Sequence, residues 1–125
     1  VTVAKKKEEE EVTIAYKALK DGGISQYQGY QWPLPDEWND TPGEWVELDP
    51  KGQTLTVCDW GLHGYTTEDI AVREGGTQCP FIYEMEIVGK TENNRTKVCG
   101  YKARLLRLVR NQDGPVVRFA DLVWQ

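Results

Sequence analysis

The sequence predicts a β-rich α+β fold: one domain with a mostly antiparallel sheet and one or two short helices. Three observations lead there. First, Phe81, Tyr83, Met85 and Ile87 alternate with Ile82, Glu84, Glu86 and Val88, the period of two that a half-buried strand imposes. Second, a turn over residues 89–94 returns the chain into residues 96–110, where Cys99, Tyr101, Ala103 and Leu105 alternate in turn. Leu105, Leu106, Leu108 and Val109 also fit a helix there, but a long strand is the natural hairpin partner of residues 81–88. Third, Thr66-Thr67-Glu68-Asp69 is a helix start, with a threonine cap and acids in the first turn ahead of Ile70, Ala71 and Val72. Gly75-Gly76 stops that helix after about two turns.

The other elements follow in order. Lys5-Lys6-Lys7 and then Glu8 to Glu11 hold nothing to bury, so residues 1–11 read as a flexible charged tail and residues 12–125 as the single domain. In the first strand Val12, Ile14, Tyr16 and Ala18 form the half-buried face, opposite Thr13, Ala15 and Lys17. Asp21-Gly22-Gly23 turns the chain. Residues 27–32 predict a second strand, closed by Pro33 and Pro35, which cannot donate to a ladder. A loop runs to residue 43. Short strands at 44–48 and 55–58 are joined by the Asp49-Pro50-Lys51-Gly52 turn. After a turn at 111–115, residues 116–124 form a last strand or short helix.

Composition narrows the function classes. The chain has 125 residues, 15 Lys+Arg against 20 Asp+Glu, and a net charge of −5. No apolar run approaches the roughly 18 residues of a membrane-spanning helix, so no membrane is expected. An acidic chain is ill suited to coat nucleic acid, whose phosphates are neutralised by Lys and Arg. Three cysteines, Cys58, Cys79 and Cys99, cannot close a disulfide framework without a leftover thiol. With no secretory leader at the start of the sequence, they read as reduced, half-buried thiols in a cytoplasmic protein.

Charge and aromatics are unevenly placed. Asp36, Glu37, Asp40, Glu44, Glu47 and Asp49 form an acidic run without a base, and Lys97, Lys102, Arg104, Arg107 and Arg110 a basic run without an acid. These are either solvated faces that partly pair with each other or a bipolar surface for a partner or a second copy. Tyr27, Tyr30, Trp32, Trp38 and Trp45 crowd one stretch. They either pack a long loop onto the core or form a binding surface, since aromatics bring large contact area at low entropic cost.

Catalytic and metal motifs are sparse. His63 is the one histidine, and with Cys58, Cys79 and Cys99 it lacks the short paired spacing of structural zinc sites. No metal is expected. Cys58 and His63 flank an Asp59-Trp60-Gly61 turn with no Asn or Asp identifiable as an orienting third group for a nucleophilic pair. Glu84 and Glu86 alternate with apolar neighbours, which makes a solvated outer strand face.

Four segments occur in an order that resembles a known family: Tyr16-Lys17-Ala18-Leu19, Gly29-Tyr30-Gln31-Trp32-Pro33-Leu34-Pro35, Pro42-Gly43-Glu44-Trp45-Val46 and Cys58-Asp59-Trp60-Gly61-Leu62-His63. The family comprises small domains from actinobacteria and their phages and brings no activity with it. The resemblance covers about residues 16–110 and implies a phage- or actinobacterium-type protein, cytoplasmic in a bacterial host cell or virion-associated. A looser, fold-level similarity to ADP-ribosyltransferases rests on Gly61-Leu62-His63, the short helix, and Ile87-Val88-Gly89-Lys90. It implies an NAD- or nucleotide-binding domain near Tyr16, His63, Glu84 and Glu86, with His63 where a nicotinamide-stacking tyrosine stands. The late-strand glutamate of that fold is missing, since the chain has Pro115-Val116-Val117-Arg118 there. The expected function is therefore a non-catalytic module without a cofactor, acting through a protein partner or self-association, with Tyr27, Tyr30, Trp32, Trp38 and Trp45 as contact residues. The alternative is the transferase-like domain with NAD.

Overall fold

The computed structural model describes residues 11–112. Its frame is the predicted hairpin, β5 (Phe81–Asn93) and β6 (Lys97–Asn111), preceded by β1 (Val12–Lys20), β2 (Ile24–Ser25), β3 (Val46–Glu47), β4 (Leu62–Tyr65) and helix α1 (Glu68–Gly75). Every pairing is antiparallel, so the fold is mostly β with one helix among the described residues.

The pairings close on themselves. β1 pairs with β5 from Val12↔Val88 to Leu19↔Phe81 along one edge, and with β4 through Tyr16↔Tyr65 on the other. β6 holds β5 on one edge and β4 on its opposite edge, from Leu62↔Gly100 to Tyr65↔Lys97. The ring β1–β5–β6–β4 is a small barrel, with β2 and β3 as attached edges. Closure this tight needs small inward residues. A Cβ on Gly64 would stand 2.9 Å from both Ala15 Cβ and Met85 Sδ, and one on Gly100 would run into Ile87. Register shifts in the β5–β6 ladder, one of them between Val88 and Thr91 around Gly89, supply the extra twist.

Alternation sorts the side chains. Ala15, Leu19, Leu62, Met85, Ile87, Val98, Ala103 and Leu105 fill the ring interior with Tyr83 and Trp32. On the outer face Ala71 of α1 packs with Ala18, Tyr65, Cys79 and Ile82. Thr67 caps the helix by accepting from the Ile70 amide at 3.2 Å, and the Gly76 N–H closes it onto the Val72 carbonyl.

Several expectations are corrected. The face of β1 is reversed in part: Ala15 and Leu19 point into the ring, whereas Val12 and Ile14 are exposed because α1 covers only the Tyr16–Ala18 half. Residues 27–32 are not a strand. Positive φ at Gln28 (68°) and Gly29 (66°) turns the chain, and only Gln31 bridges back, to Ile24. Residues 55–58 enter a tight turn closed by the Thr56↔Trp60 bridge, and the predicted strand at 44–48 shrinks to Val46–Glu47. Strand β4 has no counterpart in the sequence expectations, and β5 continues through the predicted turn to Asn93. The cysteines are free, but Cys79 and Cys99 are buried and Cys58 is exposed rather than all half-buried. Residues 1–10 of the predicted tail and the predicted last element at 116–124 lie outside the described residues.

Candidate functional site

The segment between β2 and β4 contains only the two-residue β3 and three isolated bridges. It folds over the β1–β4 side of the ring and leaves a cleft of about 720 Å³, a size that suits a small molecule or a short segment of a partner. Aromatic side chains from separate pieces of chain line it: Tyr27, Tyr30 and Trp32 from the loop after β2, Trp60 from the turn before β4, and Tyr65 from β4.

Buried Ser25 sets the first wall. Its hydroxyl donates to the Tyr27 carbonyl at 2.7 Å and accepts the Tyr30 amide at 2.9 Å, while its own amide donates to the Tyr30 carbonyl. That small loop presents Tyr27 and Tyr30 outward and turns Trp32 inward, 2% exposed, with Tyr30 edge-on to it at 5.8 Å. Burying Trp32 fixes the floor, and the exposed tyrosines leave the mouth wettable.

His63 sets the second wall. Its Nε2 accepts the Cys58 amide at 2.8 Å, and its Nδ1 lies 2.9 Å from the Gly61 carbonyl. A carbonyl can only accept, so Nδ1 carries the proton and the ring is the neutral tautomer. Burial, and then the positive charges of Lys17 and Lys97, hold its pKa below the ordinary histidine value. The imidazole thus pins the 58–63 turn, where Cys58 has φ 69°.

Two lysines enter the cleft. Lys17 shares the inward face of β1 with Ala15 and Leu19 and ends at the cleft instead of the core. Its Nζ donates to the His63 carbonyl at 2.8 Å and lies 5.3 Å from the Trp32 ring centre. Although the residue keeps some surface open, desolvation brings its ammonium down to about 8. Lys97 Nζ stands 5.8 Å from the Tyr65 ring and 6.0 Å from the Tyr27 ring. Ammonium groups over aromatic faces are stabilised by the ring quadrupole.

Of the expected contact residues, Tyr27, Tyr30 and Trp32 line this cleft and Trp38 and Trp45 do not. Trp38 lies in the turn bridged at Asp36↔Thr41. Trp45 lies against β6, 4.3 Å from the Arg104 guanidinium and 5.1 Å from Lys102 Nζ. Of the residues implied by the transferase similarity, His63 lines the cleft and Tyr16, Glu84 and Glu86 do not. Tyr16 pairs with Glu84 in the β1–β5 register and packs by α1. Glu84 faces Arg107 at 3.5 Å and Glu86 faces Arg104 at 2.9 Å. With Arg110–Glu68 at 3.0 Å, these pairs spend the arginines of the basic run on β5 and α1, not on the acidic run. The acidic run meets β6 through backbone pairing, Glu47 opposite Lys102 in the β3–β6 ladder, and through Glu37, which accepts the Leu108 amide. Asp36 is held below the usual carboxylate range first by the Asn39 side chain and then by backbone amides.

Sequence reasoning did not single out Ser25, Lys97, Trp60 or Tyr65 as site residues and placed Lys17 on the polar face. The available signal was a lysine between Ala15 and Leu19, at an inward position of a strand. Among the described residues, no group of three or more His, Cys, Asp or Glu side chains converges to hold a metal ion, and no helix is long and apolar enough to cross a membrane. Comparison of the chain with protein-family models, curated proteins and solved structures returned no match.

Proposed function

We propose that the chain is a non-catalytic binding module that engages another protein through this cleft and its aromatic rim. One observation carries the reading: five aromatic side chains from separate segments converge on one cleft, where they offer area and hydrogen-bonding edges. Each of the four segments that resemble small actinobacterial and phage domains contributes to the lining: Lys17 and Ala18, Tyr30 and Trp32, Val46, and Cys58 through His63.

The test is a photo-cross-linking amino acid placed at Tyr30, with Arg73 on the exposed side of α1 as the control position. A discrete adduct from position 30 that is absent from position 73 supports the reading. Equal labelling from both positions, or none from position 30, overturns it. A calorimetric titration with NAD runs beside it. Saturable NAD binding that disappears in His63→Ala would favour the transferase-like alternative.

A further inference from the structure

The charges inside the cleft point to the chemistry of its occupant. Lys17 and Lys97 line the same space, and the charge of Lys97 adds to the burial that disfavours the Lys17 ammonium. Neither takes part in any of the four ion pairs found among the described residues. The acids that border the cleft, Glu47 and Asp59, are exposed at its rim. An ammonium has three N–H donors, and Lys17 spends one of them on the His63 carbonyl. Donors therefore remain on two cations enclosed by aromatic faces, in a chain whose net charge is −5. Other lysines, such as Lys51 and Lys90, are exposed and lose nothing to water. Lys17 is partly withdrawn from water and gains no carboxylate in return, and such a charge is costly unless something compensates it.

We infer that the cleft recognises an anionic group carried on a flat aromatic body, the anion meeting Lys17 and Lys97 and the ring stacking among Tyr27, Tyr30 and Trp32. The inference rests on the cleft being the binding site. Its chemistry fits a terminal carboxylate beside an aromatic residue of the protein partner. There the charge-assisted hydrogen bonds are the strong kind, and the ring repeats the edge and face contacts already present.

Matched probes separate charge from shape. N-acetyltryptophan carries the carboxylate and N-acetyltryptophanamide replaces it with a neutral amide of the same outline. AMP and inorganic phosphate present an anion on a nucleotide and with no ring. Calorimetry and chemical-shift mapping should show N-acetyltryptophan binding at least tenfold more tightly than N-acetyltryptophanamide and than either phosphate. Lys17→Met and Lys97→Met should each lose at least tenfold, and Lys51→Met should change nothing. Binding of AMP without binding of N-acetyltryptophan overturns the carboxylate assignment. Equal binding of the acid and the amide, or unchanged affinity in Lys17→Met, overturns the anion inference and leaves the cleft as an aromatic site. No binding by any probe also overturns it, and the cross-linking pattern from position 30 then decides the cleft reading separately.

Discussion

Lys17→Met should make the protein more stable while it weakens anion binding at least tenfold. The ammonium is pushed from 10.5 down to about 8, chiefly by desolvation. At about 1.4 kcal/mol per pKa step, the charged form is penalised by about 3 kcal/mol at neutral pH. Methionine keeps most of the apolar stem and has no charge to desolvate. It also has no donor for the His63 carbonyl, which costs about 1 kcal/mol, while its sulfur retains a favourable contact with the Trp32 ring. The net gain is therefore roughly 1–2 kcal/mol, several degrees in Tm for a domain of this size. Urea unfolding followed by tryptophan fluorescence measures it. The pH dependence gives the gain a signature. Between about pH 8 and 10 the folded wild type has released the Lys17 proton and the unfolded chain still holds it, so wild-type stability rises with pH and the advantage of the variant shrinks. Above pH 10 the raised values of Tyr65 and Tyr83, each about 12 through burial, act in the opposite direction in both proteins. A variant less stable than the wild type at pH 7, or an advantage that does not change from pH 8 to 10, would refute the assignment of Lys17 as a costly, desolvated cation.

His63→Ala removes two ring-to-backbone contacts and the brace on Cys58 at φ 69°, and should cost roughly 2–3 kcal/mol by chemical denaturation. Because the His63 pKa is depressed in the fold, the unfolded chain takes up a proton that the folded chain refuses as pH falls below about 6.5. The wild type should lose stability there by a component that the alanine variant lacks, seen by comparing the two between pH 7 and 5.5. Gly100→Ala would drive a methyl into Ile87 at the narrowest part of the ring and should cost roughly 1–3 kcal/mol, read as a lower urea midpoint at unchanged slope. Removal of residues 1–10, a charged and aperiodic stretch, should leave Tm within about a degree or two, because such a sequence offers little apolar surface to bury. A larger drop in a calorimetric scan would show that the segment pairs with the body.

What was legible in the sequence was what local physics decides. The long hairpin was readable because Tyr83, Met85 and Ile87 alternate with charged residues and return against a second alternating segment. The helix was readable from its Thr67 cap and its Gly76 stop. Strand β4 was not, because Leu62-His63-Gly64-Tyr65 is four residues long and contains a glycine. Its place depends on the ring closing around it, where Gly64 is chosen for the approach of Ala15 and Met85 rather than for strand propensity. The face of β1 misled for a related reason. Ile14 looks more buried than Ala15 on hydrophobicity alone, yet position 15 faces the close approach of Gly64, where a Cβ would stand only 2.9 Å from that of Ala15, and the small side chain is the one that fits. The aromatic stretch was visible as a composition, but its division was not. Only the turn built by Ser25 shows that Tyr27, Tyr30 and Trp32 belong to the cleft, whereas Trp45 stacks beneath Arg104 on the far edge.

The contrast between the two faces of the barrel gives the cleft its significance. On the outer face Arg104, Arg107 and Arg110 each have a carboxylate, from Glu86, Glu84 and Glu68, and such partly exposed pairs contribute up to about 1 kcal/mol each. Among the described residues no buried side-chain polar atom lacks a hydrogen bond. Against that background one arrangement among the described residues stands apart: a lysine partly withdrawn from water shares a cleft with a second lysine, and neither takes part in an ion pair. An apolar residue at position 17, between Ala15 and Leu19, would extend the core and lower the electrostatic cost together. Keeping the ammonium there is intelligible if the compensating charge comes from outside the chain, because a ligand that binds only the folded protein returns the lost stability by mass action. His63, held neutral and tied to backbone, serves the same arrangement: a third cation at the wall would raise the repulsion between the lysines, whereas a neutral ring fixes the carbonyl that orients Lys17.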